Sequence, residues 1–355
     1  MVLVFLLSFF TAAVTAPIVI YWYRSRNWID DPSTNVHAKV VHTRAVPRGG
    51  GIVILAGLLV GAIAFLHWDQ YLLAILAGAI LITIVGWLDD VFDLHPALRL
   101  ISGSIAAFFV IMAGIGIGYV TNPFGPGVIH LDGVQMQYWF LGQPRSIWVL
   151  ADLFAWFFIL WNMNIVNWSK GVDGQLPAFV TISFLFVSLL AGRFAGDPTS
   201  FGTQQLAMIA AGSFAGLLLW NWYPQKMMPG YGAGSLAGYL LSVLAILSGA
   251  KVATILMVLA IPTADAVFAI SRRLYRKKLP FWGDRGHLHH KLLDVYGWSK
   301  QMIALFYAGT SLILGVLSLY LHTQLKLVAV VIAALLVVGL QVEAKRRSSR
   351  KNTRS

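Results

Sequence analysis

The sequence of 355 residues contains no cysteine and few charged residues. The absence of cysteine excludes disulfides, thiolate metal sites and cysteine nucleophiles. Charged residues make up 11% of the chain, whereas a soluble domain carries about 25%. Acids are the scarcest charged group, with 14 Asp and Glu against 26 Lys and Arg, while apolar residues reach 58%. We therefore expect most of the chain to face lipid, and each acid at membrane depth becomes a candidate functional residue.

Apolar runs of about 20 residues, the length that crosses a bilayer, occur eleven times. They cover 2–22, 49–67, 70–88, 98–120, 147–166, 177–196, 203–222, 235–249, 251–270, 301–321 and 323–343. The first run ends like a signal peptide but has no basic region before it, so we interpret it as a retained helix. The pattern predicts an all-α polytopic membrane protein of about eleven helices. One membrane domain covers 1–343, and a basic cytoplasmic tail covers 344–355.

The basic residues predict the orientation of the chain. Of the 26 Lys and Arg residues, 22 lie in the tail or in connections that follow odd-numbered spans. Basic residues favour the cytoplasmic side, so we expect the N-terminus outside, the C-terminus inside, and a location in the inner (plasma) membrane. The net charge of +12 then reflects topology rather than a nucleic-acid partner.

One connection on the predicted outer side is long. It contains Val128–Leu131 and Val134–Phe140 on either side of Asp132-Gly133, a dipeptide typical of hairpin turns. This pattern predicts a small extracytoplasmic β-hairpin, to which we assign no chemistry.

The most polar stretch follows the fifth apolar run, from Trp161 to Pro177. Asn164, Asn167, Lys170 and Asp173 recur there at three-residue spacing. Residues three apart share a helical face, so these side chains project together if the helix continues. Helix capping is the simpler alternative, but it explains only one Asn and one Asp.

Asp89 and Asp90 end the third apolar run. Two adjacent carboxylates repel each other, which suits a divalent metal between them or a general base. The alternative is that the pair only marks the end of the helix. Asp265, near the cytoplasmic end of the ninth run, is a further candidate, whereas Asp152 lies toward the outer side and favours a structural role.

Three histidines, His287, His289 and His290, follow Arg285 on the predicted cytoplasmic side. Imidazole donors beside a guanidinium suit phosphate oxygens. A transition-metal site is the rival interpretation, but no cysteine or glutamate lies nearby, and phosphate binding is favoured.

Taken together, these motifs resemble those of the polyprenyl-phosphate N-acetylhexosamine-1-phosphate transferases over most of the chain. This family includes enzymes that initiate O-antigen, teichoic acid and peptidoglycan lipid intermediates. The matching residues are Lys39, His42, Pro47 to Gly51, Asp89, Asp90, Asn164, Asn167, Gly171, Asp173, Gly174, Pro262, Asp265 and Asp284 to His290. The H-x-H-H form is more similar to the branch that uses UDP-GlcNAc or related UDP-sugars.

Two positions depart from the family pattern. Lys170 stands at the first aspartate of D-G-x-D-G, and Gly232 stands at a later aspartate that ligates magnesium in the family. The resemblance implies Mg²⁺ or Mn²⁺ held by Asp89, Asp90 and Asp173. The two substitutions make the local charge three units more positive than the pattern, which predicts weakened or absent metal binding.

The resemblance implies attack by polyprenyl phosphate on a UDP-N-acetylhexosamine, with release of UMP, in cell-envelope polysaccharide synthesis. The catalytic candidates are then Asp89, Asp90, Asp173 and Lys170. The candidates for substrate binding are Lys39, His42, Arg48, Asn164, Asn167, Lys226, Arg285, His287, His289 and His290. A homodimer is a further expectation. One alternative is a catalytically silent relative that binds polyprenyl phosphate or a nucleotide sugar. A transporter is disfavoured because the polar groups cluster on one face rather than at mid-membrane.

Overall fold

The protein is a bundle of α-helices, described here from a computed structural model. The structure describes residues 1–33, 41–123, 125–140, 143–194, 198–248, 251–279 and 285–352. Thirteen α-helices lie within these ranges. They are α1 (Val2–Ser25), α2 (Gly50–Phe65), α3 (Gln70–Phe92), α4 (Pro96–Met112), α5 (Val149–Trp168), α6 (Gln175–Ala191), α7 (Pro198–Asn221), α8 (Gly230–Leu247), α9 (Lys251–Val258), α10 (Ala260–Tyr275), α11 (Leu288–Asp294), α12 (Lys300–Tyr320) and α13 (Thr323–Asn352).

Helix α8 is the centre of the bundle, since its residues from Gly230 to Ala245 are all buried. Helices α2, α3 and α5 pack directly against it. Small residues permit this close approach: a Cβ added at Gly238 would lie 2.5 Å from the backbone of Asn162 and Met163 on α5. Close contact through small residues is the usual way in which helices associate in lipid.

The outer helices expose apolar side chains. Helix α1 packs on α2 and α7, while α6 joins α7 to α12. Helix α13 is the least buried of the long helices and exposes Val331, Ile332 and Leu335. An apolar exterior of this kind fits lipid as the surrounding solvent.

The predicted all-helical membrane architecture is confirmed in its coarse form. Seven helices are long and apolar enough to cross a membrane, and α9 with α10 would make an eighth if the pair is one span. The other predicted spans coincide with α2, α4 and α6, which have 16 or 17 residues. Such helices are only about 25 Å long at 1.5 Å per residue, shorter than the hydrocarbon core of about 30 Å.

The ninth predicted span is sharply bent, because α9 and α10 meet at 85°. Pro262 lies in the first turn of α10, where its missing N–H has no intrahelical partner to lose. At the break, the hydroxyl of Ser311 on α12 donates to the carbonyl of Val258 over 2.8 Å. The bend directs α10 toward the segment that carries the histidines.

The predicted hairpin pairing is wrong, although its residues do form strands. Strand β3 (Tyr119–Thr121) pairs with β4 (Val128–His130), and β5 (Gln135–Phe140) pairs with β6 (Gln143–Trp148), both antiparallel. Asp132-Gly133 therefore connects two hairpins instead of forming the tip of one. A further short pair, β1 (Ile29–Asp30) with β2 (Val46–Pro47), brackets the first polar connection.

Candidate active site

Asp89 and Asp90 lie in the last turn of α3 and contact different partners. Asp89 is 6% exposed, and its Oδ1 lies 2.5 Å from Nε of Arg99 on α4. The same Oδ1 accepts from the amide of Leu94 over 3.2 Å. Arg99 also contacts Asp93, whose positive φ of 48° ends the helix. Asp89 is thus already paired with a protein cation.

Asp90 is half-buried and binds the start of α8. Its Oδ1 accepts from the amide of Tyr231 over 2.8 Å, one of the first-turn amides that have no partner within a helix. Gly230 has φ of +67°, and a Cβ there would lie 2.7 Å from Cγ of Asp90. Glycine is therefore required for Asp90 to reach α8.

Lys170 lies beside this contact. Helix α5 ends at Trp168, so the predicted common helical face from Asn164 to Asp173 does not form. Nζ of Lys170 donates to the carbonyl of Gly230 over 2.5 Å and lies 5.9 Å from the ring centre of Tyr231. Burial lowers the pKa of Lys170 to about 8, although the charges of Asp90 and Asp89 oppose that shift.

The first polar connection brings a second cation to the same place. Nε of Arg48 donates to Asp30 over 2.9 Å, and His42 lies 3.2 Å from the carbonyl of Asp30. The end of this connection is held beside the start of α8, because the amide of Gly50 donates over 3.2 Å to the carbonyl of Met228, two residues before α8. His42 is buried, whereas Arg48 keeps 34% of its side chain exposed. Lys39 lies outside the described residues.

Asp173 does not join the Asp89-Asp90 pair. Its carboxylate accepts from Nζ of Lys300 and from the amide of Gln225, each over 3.1 Å, and the residue is 2% exposed. Lys226 is exposed, with Nζ 5.3 Å from the ring centre of Trp220. The predicted three-carboxylate metal set is therefore not assembled.

The two asparagines of α5 serve the helix packing. Nδ2 of Asn164 donates to the carbonyl of Leu160 over 2.8 Å, on its own helix. Oδ1 of Asn167 is buried against Gly234 of α8, and none of the described residues is its hydrogen-bond partner. Neither contact tests their predicted role in substrate binding.

His287 is held in one orientation by Asp265. Its Nδ1 lies 2.9 Å from Oδ2 of Asp265, and its Nε2 lies 3.2 Å from a guanidinium nitrogen of Arg273. Arginine can only donate, so Nε2 accepts and Nδ1 carries the proton. The amide of Leu288 and the side chain of Gln341 donate to Oδ1 of Asp265 over 2.7 and 2.9 Å. This network fixes the start of α11.

His289 and His290 are buried, and the Nδ1 atom of each has no hydrogen-bond partner in the part of the chain that the structure describes. Burial, reinforced by neighbouring imidazoles and by Arg285, lowers the pKa of His289, and burial with Arg285 lowers that of His290 to about 4. Both are neutral at physiological pH. Arg285, whose guanidinium was predicted to bind phosphate, forms two hydrogen bonds to Asp294 over 2.8 and 2.9 Å. Asp284 lies outside the described residues.

Lys170 and Gly171 join the acid pair to the histidines. A Cβ on Gly171 would lie 2.7 Å from Cε1 of His289, so the imidazole packs on the backbone next to Lys170. The ring centres of Trp168 and His287 lie 6.0 Å apart, with the ring planes tilted by 49°. The residues from Trp168 to Gly171 therefore contact both the acid pair and the histidine cluster. We call the whole arrangement the Lys170 site; it consists of Arg48, Asp89, Asp90, Lys170, Gly230, Tyr231, His287, His289 and His290.

The residues present do not fit the metal that the resemblance implies. Among the described residues, no three His, Asp or Glu side chains form a group that could hold a metal ion. Asp89 and Asp173 pair with Arg99 and Lys300. An ammonium stands where the family pattern has a carboxylate. We derive no step through a metal.

A cavity of about 350 Å³ lies away from this chemistry. Its lining includes Tyr119 of β3, Phe154 near the start of α5, Ala245 near the end of α8 and Leu327 of α13. The lining is largely apolar and shares no residue with the Lys170 site.

Sequence reasoning overlooked five residues that organise the site. Each is the partner of a predicted residue, and they are Asp30, Arg99, Arg273, Lys300 and Gln341. Arg99 and Gln341 lie within otherwise apolar segments, a signal that could have identified them.

The comparisons with known proteins agree with the motifs. The profile of glycosyl transferase family 4 matches residues 72–249. The chain is 24% identical, over 97% of its length and 91% of the relative's, to a probable undecaprenyl-phosphate N-acetylglucosaminyl 1-phosphate transferase of Bacillus subtilis. A decaprenyl-phosphate N-acetylglucosaminephosphotransferase of Mycobacterium leprae is 22% identical, over 84% of this chain and 80% of the relative.

A third relative belongs to the muramoyl branch. It is a phospho-N-acetylmuramoyl-pentapeptide-transferase of a Synechococcus species, 30% identical over 77% of this chain and 79% of the relative. The matched family region includes the acid pair, Lys170 and the start of α8. On the strength of this match, the chain is a member of glycosyl transferase family 4.

Proposed function

We propose that the protein transfers a sugar-1-phosphate from a UDP-N-acetylhexosamine to polyprenyl phosphate in the membrane. The products are a polyprenyl-diphosphate sugar and UMP. The observation that carries the proposal is the Lys170 site, where one half-buried ammonium lies between an acid pair and a histidine cluster. Family membership supports it, since two relatives are named for N-acetylglucosamine phosphate transfer to undecaprenyl or decaprenyl phosphate.

The reaction needs positive charge more than it needs a base. An oxygen of polyprenyl phosphate attacks the β-phosphorus, and the bond from that phosphorus to the bridging oxygen breaks. The electron pair leaves with UMP. A phosphate monoester has a second pKa of about 6, so the attacking group is already ionised at neutral pH. Electrostatic stabilisation of the phosphate oxygens is then the main task of the protein.

The described residues divide this task. Lys170 and Arg48 supply charge, because both are partly exposed at the start of α8. Asp90 fixes the first turn of α8 and so positions Gly230, which holds Lys170. His289 and His290, being neutral, offer uncharged N–H donors to phosphate or sugar oxygens.

A product assay tests the proposal. Purified protein is incubated with radiolabelled UDP-GlcNAc and undecaprenyl phosphate in Mg²⁺-containing buffer, and organic-phase label and UMP are measured together. We expect both to rise in equal amounts. Lys170→Met should abolish most of the signal, whereas Lys326→Met, a lysine bonded to Thr254 elsewhere in the bundle, serves as the matched control. Failure to form lipid-linked product from any UDP-N-acetylhexosamine contradicts the proposal.

The placement in the inner membrane with a cytoplasmic site is also proposed. Connections after α1, α3, α5, α7 and α10 meet at one end of the bundle through the contacts above. These are the connections in which basic residues concentrate, which supports eleven spans with the N-terminus outside.

The lack of native cysteine makes this topology simple to test. In intact cells, an impermeant thiol reagent should label His322→Cys directly and Ser25→Cys only after permeabilisation. The reverse pattern overturns the orientation. A homodimer stays a prediction, which light scattering of the purified protein tests. Nothing in the described residues or the quoted relatives favours the catalytically silent alternative.

A further inference from the structure

We propose that Lys170 takes the place of the divalent cation, so that this site binds and activates its phosphates without a metal ion. The inference deepens the proposed function and rests on it. Three observations carry it: the position of the ammonium, the packing around Gly232, and the pairing of the remaining acids.

The ammonium of Lys170 is placed to bind an anion. Among the described residues it makes one hydrogen bond, to the carbonyl of Gly230 over 2.5 Å. An ammonium has three N–H donors, so two are left for phosphate oxygens. The residue is half-buried rather than sealed, which leaves a route for a ligand. Lysine acts toward phosphate as a compact point charge.

Helix packing leaves little room for a side chain at position 232. Gly232 lies between Gly51 of α2 and Gly86 of α3. A Cβ added to Gly232 would lie 3.3 Å from Cα of Gly51 and 3.6 Å from Cα of Gly86. The first of these distances is tight even for a methyl group, and a carboxylate requires more room. The acid missing from this position has thus been replaced by a contact among three helices.

The remaining acids are committed to other partners. Asp89 pairs with Arg99, Asp173 pairs with Lys300, and Asp90 accepts from the amide of Tyr231. A metal would have to displace the first two pairs, and breaking a buried ion pair leaves an uncompensated charge.

The formal charge around the acid pair leads to the same conclusion. Counting only residues that the structure describes, this group contains four carboxylates and three cations, which are Asp30, Asp89, Asp90, Asp93, Arg48, Arg99 and Lys170. The formal total is −1, because four negative and three positive charges are present. Carboxylates at positions 170 and 232 would bring it to −4. A nearly neutral group favours the phosphates of the substrate far more than a group at −4, which needs a divalent cation first.

The test compares activity and metal binding in the same preparation. Wild-type protein is assayed with Mg²⁺ and with excess EDTA, and bound Mn²⁺ is measured by electron paramagnetic resonance. We expect rates within about twofold of each other in the two buffers and no stoichiometric Mn²⁺. Lys170→Met should lose at least about 100-fold in rate, the cost of removing one transition-state donor, while Lys326→Met keeps the wild-type rate. Lys170→Asp should not become dependent on Mg²⁺, since position 232 stays closed.

The outcomes separate the inference from the proposed function. Activity that is lost in EDTA and restored by Mg²⁺ supports the function and overturns the inference, as does one Mn²⁺ bound per chain and displaced by Mg²⁺. A protein inactive in both buffers contradicts the function. That result also contradicts the claim that Lys170 activates the phosphates. The Mn²⁺ titration then decides only whether the site holds a metal: a bound ion overturns the metal-free site as well, and the lack of one supports it.

Discussion

Replacing Gly86 by alanine should push apart the two helices that define the Lys170 site. A Cβ at Gly86 would lie 2.7 Å from the backbone nitrogen of Gly232 and closer still to its Cα. Carbon atoms in contact are about 3.5–4.0 Å apart, so α3 and α8 must separate by about 1 Å. Neither partner can rotate away, because the contact is with backbone.

The cost can be estimated from two opposing effects. Forcing an extra methyl group into a packed interface destabilises a protein by about 1–3 kcal/mol. Alanine in place of glycine within a helix returns up to about 1 kcal/mol. A rigid backbone contact belongs at the upper end of the first range, so we expect a net loss of about 2 kcal/mol.

The same displacement should lower the rate. The start of α8 carries Gly230, which holds Lys170, and Tyr231, which holds Asp90. A shift of about 1 Å in such groups costs up to about 100-fold in rate. Both the thermal midpoint in detergent and the rate of lipid-linked product formation should therefore fall together.

Gly309 provides a matched control for this substitution. It lies inside α12, another apolar helix, and a Cβ there meets nothing within 4 Å. Gly309→Ala should keep the rate and raise the midpoint slightly, through helix propensity alone. If Gly86→Ala is as stable and active as Gly309→Ala, the tight contact of α3 with α8 does not exist and the closure of position 232 fails with it.

Two further predictions concern buried charges. Lys300→Met leaves the carboxylate of Asp173 without its cation, at a cost of about 3–5 kcal/mol; the midpoint should fall sharply, and adding Asp173→Asn should restore most of it. An equal fall in the double variant contradicts the pairing. For His290, the folded pKa is about 4 and the ordinary value is 6.5, so the unfolded chain takes up the proton first. The contribution of His290 to the free energy of unfolding is therefore complete above pH 6.5 and decreases toward pH 4, by up to about 3 kcal/mol. Denaturation midpoints across that range should decline less in His290→Gln; an unchanged slope refutes the assignment.

The positions of the helices could be predicted because lipid exposure leaves a local mark on the sequence. Each of the eleven apolar runs overlaps with a helix or with the α9–α10 pair, although the run 98–120 continues past the end of α4 into β3. The bend at Val258 could not be predicted in this way, because proline in the first turn of a helix does not by itself indicate a bend. Likewise, Asp132-Gly133 predicts a turn but not which strands pair across it.

The sequence was enough to predict which segments form the site, but not which of their residues contact each other. Lys170 and Asp173 were expected to share a helical face, yet α5 ends two residues before Lys170. Asp173 then pairs with Lys300, which lies 127 residues away in sequence. Lys170 binds Gly230 across 60 residues. No periodicity records such long-range partners, so residue types identified the chemistry while tertiary contacts decided its geometry.

Acids that would be superfluous without a metal have other tasks in this fold. Asp90 binds the first turn of α8, and Asp89 holds Arg99 against the same helix end. Each task requires a carboxylate but no divalent ion. The protein can therefore keep both acids while Lys170 provides the charge that meets the phosphates. On this reasoning, neutralising Asp90 should impair the site by releasing α8 and Gly230, rather than by removing a metal ligand, and the loss should be the same in Mg²⁺ and in EDTA.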